Sequence, residues 1–263
     1  EAHLEGFKSF DTIIKTKNEL YNHLKKNNGT IFINKLDPLL VNLSSQYQKI
    51  VFYSCEELNN KIEENENGFY FSSNPLLELF HKGHVIKSKI IGKYNAQNLA
   101  ASITISKTFN IKLKTIIEIL SKFELKNNRS QLIQTEKNNI ILDAYNANPT
   151  SVKLAIENFK EFIKIKKSKN NIIILGDMLE LGIHSKKYHQ DVVELLQNLN
   201  FNKCILVGNN FNFTNIKSKN EYLKMKSLKD CQNFLKDNNY IRNYCVLIKG
   251  SRKMKLENLI KLL

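Results

Sequence analysis

The sequence DAYNANPTS (Asp143–Ser151) joins a predicted β-strand to a predicted α-helix and decides how the rest of the chain is interpreted. Before it, NNIIL has the polar start and aliphatic run of a short strand. Within it, Pro149 suits the first position of a helix, where the missing N–H would be unpaired anyway. Apolar residues then recur at helical spacing: Ala155, Ile156, Phe159, Phe162 and Ile163.

The polar residues between this strand and helix are expected at the carboxyl edge of a parallel sheet, where ligands bind in open α/β folds. They are Asp143, Tyr145, Asn146 and Asn148. Taken alone, the same residues also fit an Asn-rich turn that merely caps a helix. Two further stretches decide between these interpretations.

Both stretches place charged residues directly after an aliphatic strand. NIIILGDMLELG (171–182) turns at a Gly-Asp pair, and CVLIKGSRKM (245–254) ends in a Gly-Ser turn. Asp177 and Glu180 are suited to hold a cationic group, and Lys249 and Arg252 to hold an anion. Three such strand ends are expected to converge on one edge of one sheet, which favours a binding site over coincidence.

The composition favours a protein without membrane insertion and without nucleic acid as a partner. No apolar run approaches the ~20 residues of a membrane-spanning helix. The net charge is +15, but the lysines are spread through the 263 residues and the aromatics are not interleaved with arginines. Nucleic-acid binding is therefore the last-ranked alternative. The cysteines (55, 204, 231 and 245) lack metal-type spacing and indicate reduced, buried thiols in a cytoplasmic protein.

Strands that alternate with helices predict two α/β domains. The first is predicted to contain a turn at Asp37-Pro38, a β-hairpin around Lys82-Gly83, and helices over about 95–109 and 113–123. The polar sequence KNNRS separates the two patterned blocks, so the domains are predicted at 1–127 and 128–263. A helix is expected at the C-terminus.

Seven motifs, in order, resemble the Mur ligase family, and within it the MurF ligases. They are HLEGF, the lysine of IIKTKNELY, GKYNAQN, the Arg of NNRS, DAYNANPTS, LGDMLELG and VLIKGSR. The resemblance spans the chain. It implies part of a Mur-ligase central ATPase domain followed by a Rossmann-like C-terminal domain with a mostly parallel sheet.

The resemblance also implies roles for individual residues. His3 matches a magnesium-binding histidine with Glu5 near it, and Lys17 matches a lysine carried as a carbamate, an anionic oxygen ligand of the type Mg²⁺ prefers. Asn95 and Asn98 match the adenine-binding asparagines of the family. His3, Lys17 and Arg129 are the implied catalytic residues.

Further roles concern the nucleotide and the peptide. Arg129 matches the arginine that reaches the γ-phosphate of ATP, although Asn128 replaces the preceding glycine of the family. The implied nucleotide contacts also include Asp143, Tyr145 and Asn146. The implied substrate contacts are Asn148, Asp177, Glu180, Lys249 and Arg252.

The implied reaction is ATP-dependent ligation of UDP-N-acetylmuramoyl-tripeptide to D-alanyl-D-alanine through an acyl phosphate, by a monomer. The sequence contains no G-x-x-x-x-G-K-[ST] phosphate loop. We therefore expect the chain to be the C-terminal portion of such a ligase and to be inactive alone. Two alternatives stay open: a ligase of other specificity, such as another Mur ligase or a folylpolyglutamate synthase, and a non-catalytic binding module of the same fold.

Overall fold

The computed structural model describes residues 9–58, 66–217, 220–237 and 241–263. The chain divides into two compact units, and the division falls between Glu124 and Leu125. The sequence placed it between residues 127 and 128. His3 and Glu5 lie outside the described residues.

The first unit is a mixed sheet with helices. Its elements are α1 (Phe10–Lys26), β1 (Ile31–Asn34), α2 (Pro38–Ser44), β2 (Ile50–Glu57), β3 (Gly68–Ser73), β4 (Leu76–His81), β5 (His84–Ile91), α3 (Asn95–Thr108) and α4 (Leu113–Lys122). The strand order is β1-β2-β3-β4-β5. The first three strands are parallel and the last two pairings are antiparallel.

Sequence patterns predicted most of this unit. The hairpin at Lys82-Gly83 and both helices after it are confirmed. The Asp37-Pro38 turn is instead the start of α2. The Asp37 carboxylate accepts the N–H groups of Leu39 at 3.0 Å and Leu40 at 3.2 Å, and the proline occupies the first turn of the helix.

The second unit alternates strands and helices. Its elements are β6 (Gln131–Gln134), β7 (Asn139–Asp143), α5 (Pro149–Ile165), β8 (Asn171–Gly176), α6 (Ser185–Asn198), β9 (Lys203–Val207), α7 (Asn209–Asn212), β10 (Glu221–Met225), α8 (Leu228–Asp237) and β11 (Cys245–Lys249), with 3₁₀ helices at Gly182–His184, Arg252–Met254 and Leu256–Leu262. The strand order is β10-β9-β8-β11-β7-β6, and only the β6–β7 pairing is antiparallel among the described strands. This confirms the mostly parallel, Rossmann-like sheet.

Alternation along the strands divides the core of this unit into two layers. One layer packs strand residues such as Ile140, Ile174 and Val246 against α8 and the C-terminal 3₁₀ helix. Because side chains alternate between faces, the intervening residues face α5 and α6, which pack on each other. The helix predicted at the C-terminus is observed as the 3₁₀ helix Leu256–Leu262, which belongs to this core.

The register brings three strand ends level. Lys249 at the end of β11 lies opposite Asp143 of β7 and Leu175 of β8. The turns that follow β7, β8 and β11 therefore meet at one edge of the sheet, as the sequence predicted.

All four cysteines are free and buried, which confirms their prediction as unpaired thiols. Burial raises the pKa of Cys55, Cys204 and Cys231 to about 12 in each case, because the thiolate loses its hydration. Across the described ranges, the helices are too short or too polar to cross a bilayer.

Candidate functional site

The turn from β7 to α5 is fixed by a reciprocal cap. The Asn148 side-chain oxygen accepts the Ser151 N–H at 2.9 Å, while the Ser151 hydroxyl accepts the Asn148 N–H at 3.1 Å. Pro149 occupies the first turn of the helix, as predicted. The side-chain oxygen of Asn148 thus caps the helix, and the assignment of Asn148 to the substrate stays a prediction.

A buried ammonium group holds the same turn from the neighbouring strand. Lys249 Nζ lies 2.9 Å from Asp143 Oδ2, and it also donates to the Asn146 carbonyl at 2.9 Å and the Asp143 carbonyl at 3.4 Å. The lysine side chain is 2% exposed and that of the aspartate 15%. Lys249 was expected to present its charge to an anionic ligand; its three donors are used inside the protein here, and its assignment to the substrate stays a prediction.

The other oxygen of Asp143 organises the segment that carries Arg129. Asp143 Oδ1 accepts the Ser130 N–H at 3.2 Å, and the Tyr145 N–H donates to the Asn128 carbonyl at 3.1 Å. The guanidinium carbon of Arg129 lies 3.7 Å from the centre of the Tyr145 ring. The arginine is exposed, so the stacking presents a fixed cation at the surface of the turn.

The backbone before Arg129 explains the residue found there. Asn128 has a φ of 61°, in the left-handed region. Glycine adopts this region without strain, and asparagine is the residue that tolerates it next best. The replacement of the family glycine by Asn128 therefore preserves the turn.

Asp177 is a structural residue in this unit. It is 4% exposed, and its carboxylate accepts the N–H groups of Asn210 at 3.0 Å and Phe211 at 3.1 Å, together with the Asn210 side-chain amide at 3.1 Å. Gly208 approaches so closely that a β-carbon there would lie 2.3 Å from the carboxyl carbon. Asp177 was expected to hold a cationic substrate group; its oxygens anchor the β9–α7 loop here, and its assignment to the substrate stays a prediction.

His189, which the sequence analysis did not single out, is fully buried beside Asp177. Its Nδ1 lies 2.7 Å from the Ser185 carbonyl, and its Nε2 accepts the Met178 N–H at 3.0 Å, so the ring is neutral with the proton on Nδ1. Burial lowers the pKa of His189, against the opposing influence of the Ser185 carbonyl and the Asp177 carboxylate. His189 stands on an apolar helix face, and a single histidine in such a pattern does not indicate that its ring accepts a buried backbone N–H.

Ser251 was also missed as a structural link. Its hydroxyl accepts the Leu179 N–H at 2.9 Å, and its N–H donates to the Asp177 carbonyl at 3.3 Å. The link is possible because Gly250 and Gly176 are in contact; a β-carbon on Gly250 would lie 3.1 Å from the Gly176 α-carbon. The Gly-Ser turn that suggested anion binding thus joins the turns after β8 and β11.

Glu180 and Arg252 lie on these joined turns and are exposed. Glu180 has a φ of 66°. Arg252 Nη1 lies 2.7 Å from Glu257 Oε1. Their assignment to the substrate remains a prediction.

The residues assigned to adenine, Asn95 and Asn98, lie in the first unit, as does Lys17, the described residue assigned to magnesium. Asn95 begins α3, where its side-chain amide donates to the Ile91 carbonyl at 2.8 Å and its oxygen accepts the Asn98 amide at 3.2 Å. Lys17 is exposed on α1. Among the described residues, no group of three or more His, Cys, Asp or Glu side chains is close enough to hold a metal ion.

The structure therefore gathers one cluster within the second unit. Arg129, Asp143, Tyr145, Asn146 and Lys249 are joined by direct contacts at the carboxyl edge of a mostly parallel sheet. An exposed arginine at such an edge is typical of the domains with which α/β enzymes hold phosphorylated ligands.

Comparison with known proteins gives the family. Residues 1–106 match the Mur ligase middle domain, and residues 128–252 match the Mur ligase, glutamate ligase domain. The chain belongs to the Mur ligase family. Its two units correspond to the middle and C-terminal domains of these proteins.

Curated relatives are UDP-N-acetylmuramoyl-tripeptide–D-alanyl-D-alanine ligases. That of Buchnera aphidicola subsp. Acyrthosiphon pisum is 30% identical, and the alignment covers 99% of this chain and 57% of the relative. That of Bacillus subtilis is 28% identical, with 99% and 56% covered. The chain thus spans a little over half the length of these relatives.

A solved structure of MurF from Thermotoga maritima, in complex with ADP, has the same fold. Its TM-score to this chain is 0.77 at 21% identity, and 99% of this chain and 58% of the other are covered. At this identity the likeness supports the fold of both units.

Proposed function

We propose that this chain forms the C-terminal part of the active site of an ATP-dependent ligase that joins UDP-N-acetylmuramoyl-tripeptide to D-alanyl-D-alanine. The observation that carries the proposal is the Arg129–Tyr145 stack on the DAYNANPTS turn, in a chain whose full-length relatives have this activity by name.

Arg129 is proposed to bind the phosphates of ATP. Its guanidinium carries a permanent charge, and one face of it rests on the Tyr145 ring, so the N–H groups at its edge stay available for two parallel bonds to phosphate oxygens. Tyr145 and Asn146, both exposed, complete the nucleotide side. Asn95 and Asn98 are proposed to meet the adenine.

Lys249 and Asp143 are proposed to be positioning residues for this arginine. The ammonium group fixes Asp143 and the Asn146 carbonyl, and the carboxylate fixes the Ser130 N–H next to Arg129. Helix α5 also begins at this turn, and its N-terminus favours negative charge. Preorganised positive charge of this kind stabilises the charge that develops during phosphoryl transfer.

In the proposed reaction, the terminal carboxylate of the tripeptide attacks the γ-phosphorus of ATP and ADP leaves, giving an acyl phosphate. The amine of D-alanyl-D-alanine then attacks the acyl carbon, loses a proton and expels inorganic phosphate. Arg252 and Glu180 are proposed to face the peptide side. The enzyme is proposed to act as a monomer in the cytoplasm.

The described residues include no cluster of three or more His, Cys, Asp or Glu side chains that could hold Mg²⁺. Mg²⁺, when bound, neutralises phosphate charge in ligation reactions of this type. Lys17 is proposed to contribute as a carbamate, which its exposed position on α1 allows.

The activity is tested on the native polypeptide that carries this sequence, isolated from its source. Incubation with the tripeptide precursor, D-alanyl-D-alanine and ATP is expected to yield UDP-N-acetylmuramoyl-pentapeptide, detected by mass spectrometry. Turnover of ATP with a different acceptor amino acid, and no pentapeptide, would instead identify a ligase of other specificity.

The role of Arg129 is tested by nucleotide binding to the chain. Arg129→Ala is expected to weaken ATP binding by roughly 10- to 100-fold, the value of a charge-assisted hydrogen bond. Arg242→Ala removes an arginine that is also exposed and lies outside the cluster, and it is the matched control. Equal affinities of the two variants in isothermal titration would refute the assignment.

A further inference from the structure

Two apolar side chains protrude into solvent at one place on the second unit. Ile183, just before α6, is 94% exposed, and Phe213, just after α7, is 71% exposed. Both line a shallow depression of about 640 Å³. We call this depression and its rim the Ile183–Phe213 surface.

The fold holds this surface in place. Gln190 of α6 donates its amide to the Asn215 carbonyl at 3.3 Å, and its side-chain oxygen accepts the Asn215 N–H at 2.8 Å. Lys224 donates to the Asn212 carbonyl at 3.2 Å and to the carbonyl of Thr214. Phe213 is therefore exposed in a segment whose backbone is held by hydrogen bonds from Gln190 on one side and Lys224 on the other.

Lysines surround the two apolar side chains. Lys186, Lys187 and Lys217 line the same depression, and Glu194 is the carboxylate among its lining residues. The Glu194 carboxylate accepts the Gln190 amide at 3.2 Å. The surface thus combines two protruding hydrophobes with a net positive charge.

This combination fits one kind of partner. At the surface of an anionic bilayer, apolar side chains enter the acyl boundary while ammonium groups stay at the level of the phosphates. A nucleic acid would satisfy the lysines and leave Ile183 and Phe213 in water. An acidic protein surface would need apolar pockets for both side chains as well as charge.

We infer that the Ile183–Phe213 surface docks reversibly on anionic phospholipid bilayers. The inference is independent of the proposed ligase activity. Two apolar side chains and three lysines provide far less affinity than a membrane-spanning helix, so the docked and free states exchange readily.

The chain contains no tryptophan, so a single introduced tryptophan reports its own surroundings. Phe213→Trp is expected to shift its fluorescence to the blue when vesicles of phosphatidylglycerol and phosphatidylcholine in equal parts are added, and to be unchanged with phosphatidylcholine alone. Phe109→Trp is the matched control, because Phe109 is 72% exposed in the first unit. Equal shifts of the two variants, or none with Phe213→Trp, would overturn the inference.

Vesicle sedimentation distinguishes membrane binding through this surface from binding through the overall positive charge of the chain. The double variant Ile183→Ser/Phe213→Ser is expected to lower the partition coefficient at least ~10-fold, without a change in Tm, since both side chains are exposed. Lys186→Gln/Lys187→Gln is expected to lower it more than Lys229→Gln/Lys236→Gln on α8, which covers the other face of the sheet. Equal losses from the two lysine pairs, or wild-type binding by the serine variant, would contradict docking at this surface.

Discussion

Lys249 organises the candidate site as a buried ammonium group with one carboxylate partner. We predict that Lys249→Met lowers the free energy of unfolding by about 3 kcal/mol, because Asp143 is left as an uncompensated, largely buried charge. Urea denaturation of the second unit measures the loss.

Two variants distinguish the buried charge from the loss of a side chain. Adding Asp143→Asn to Lys249→Met is expected to restore part of the stability, because the uncompensated charge is gone. Lys203→Met is the matched control: this lysine is also buried, but its partner Glu221 is half exposed and stays hydrated when the lysine is removed. If Lys203→Met costs as much as Lys249→Met, burial of the partner charge is not the cause.

His189 makes the stability of the second unit depend on pH. The pKa of His189 is lowered in the folded state, whereas the unfolded chain takes up its proton near the ordinary value of about 6.5. The stabilisation is therefore complete above pH ~6.5. It is lost as the pH falls from there through the folded pKa, by up to about 1.4 kcal/mol per pH unit.

We predict that His189→Gln flattens this dependence between neutral and mildly acidic pH, measured by urea denaturation at a series of pH values. His184→Gln, at an exposed histidine five residues earlier, is expected to leave it unchanged. A wild-type stability that does not fall on acidification would show that the folded protein protonates His189 readily.

At the scale of elements, the loop between β9 and α7 depends on one glycine. Gly208 has a φ of 126°, and a β-carbon there would lie within 2.5 Å of both Asp177 oxygens. Gly208→Ala is predicted to destabilise the second unit by roughly 3 kcal/mol or more, since backbone strain of about 1–3 kcal/mol adds to the displacement of a buried carboxylate.

Gly83→Ala is the control for strain without displacement. Gly83 also has a positive φ, 74°, but a β-carbon there would meet nothing within 4 Å. Its cost is expected to be about 1–2 kcal/mol. Thermal unfolding of both variants measures the difference, and equal costs would mean that Asp177 moves aside freely.

Elements with a strong local pattern were predictable from the sequence, whereas α7 and β10 were not. The strands β7, β8 and β11 have uninterrupted aliphatic runs, and α5 has both a cap and a periodic apolar face. By contrast, α7 has four residues, and β10 is an edge strand without a buried position. Contacts with neighbouring elements stabilise such short elements, so their own sequences carry no recognisable helix or strand pattern.

At the scale of the whole molecule, the convergence of three strand ends was predictable, because parallel strands share a carboxyl edge. The partner of each charge was not. Lys249 and Asp143 are 106 residues apart, and a lysine after a strand has the same sequence pattern whether it faces a ligand or a buried carboxylate. For this reason the protein partners of Lys249 and Asp177 could not be predicted from the sequence.

Each unit has its own sheet, so we predict that residues 125–263 fold without the rest of the chain. The isolated unit is expected to show a cooperative thermal transition and the near-ultraviolet circular dichroism of fixed aromatic side chains. A broad transition without such a signal would show that its stability depends on residues 1–124.

The four buried cysteines can report how often each folded unit opens. A thiol-reactive reagent needs both access and the thiolate, and the folded protein denies both at Cys55, Cys204 and Cys231. Alkylation therefore advances only at the rate at which a unit exposes its interior. Because Cys55 lies in the first unit and the other cysteines in the second, peptide mass spectrometry after timed labelling reads the lifetime of each folded unit separately in one unmutated sample.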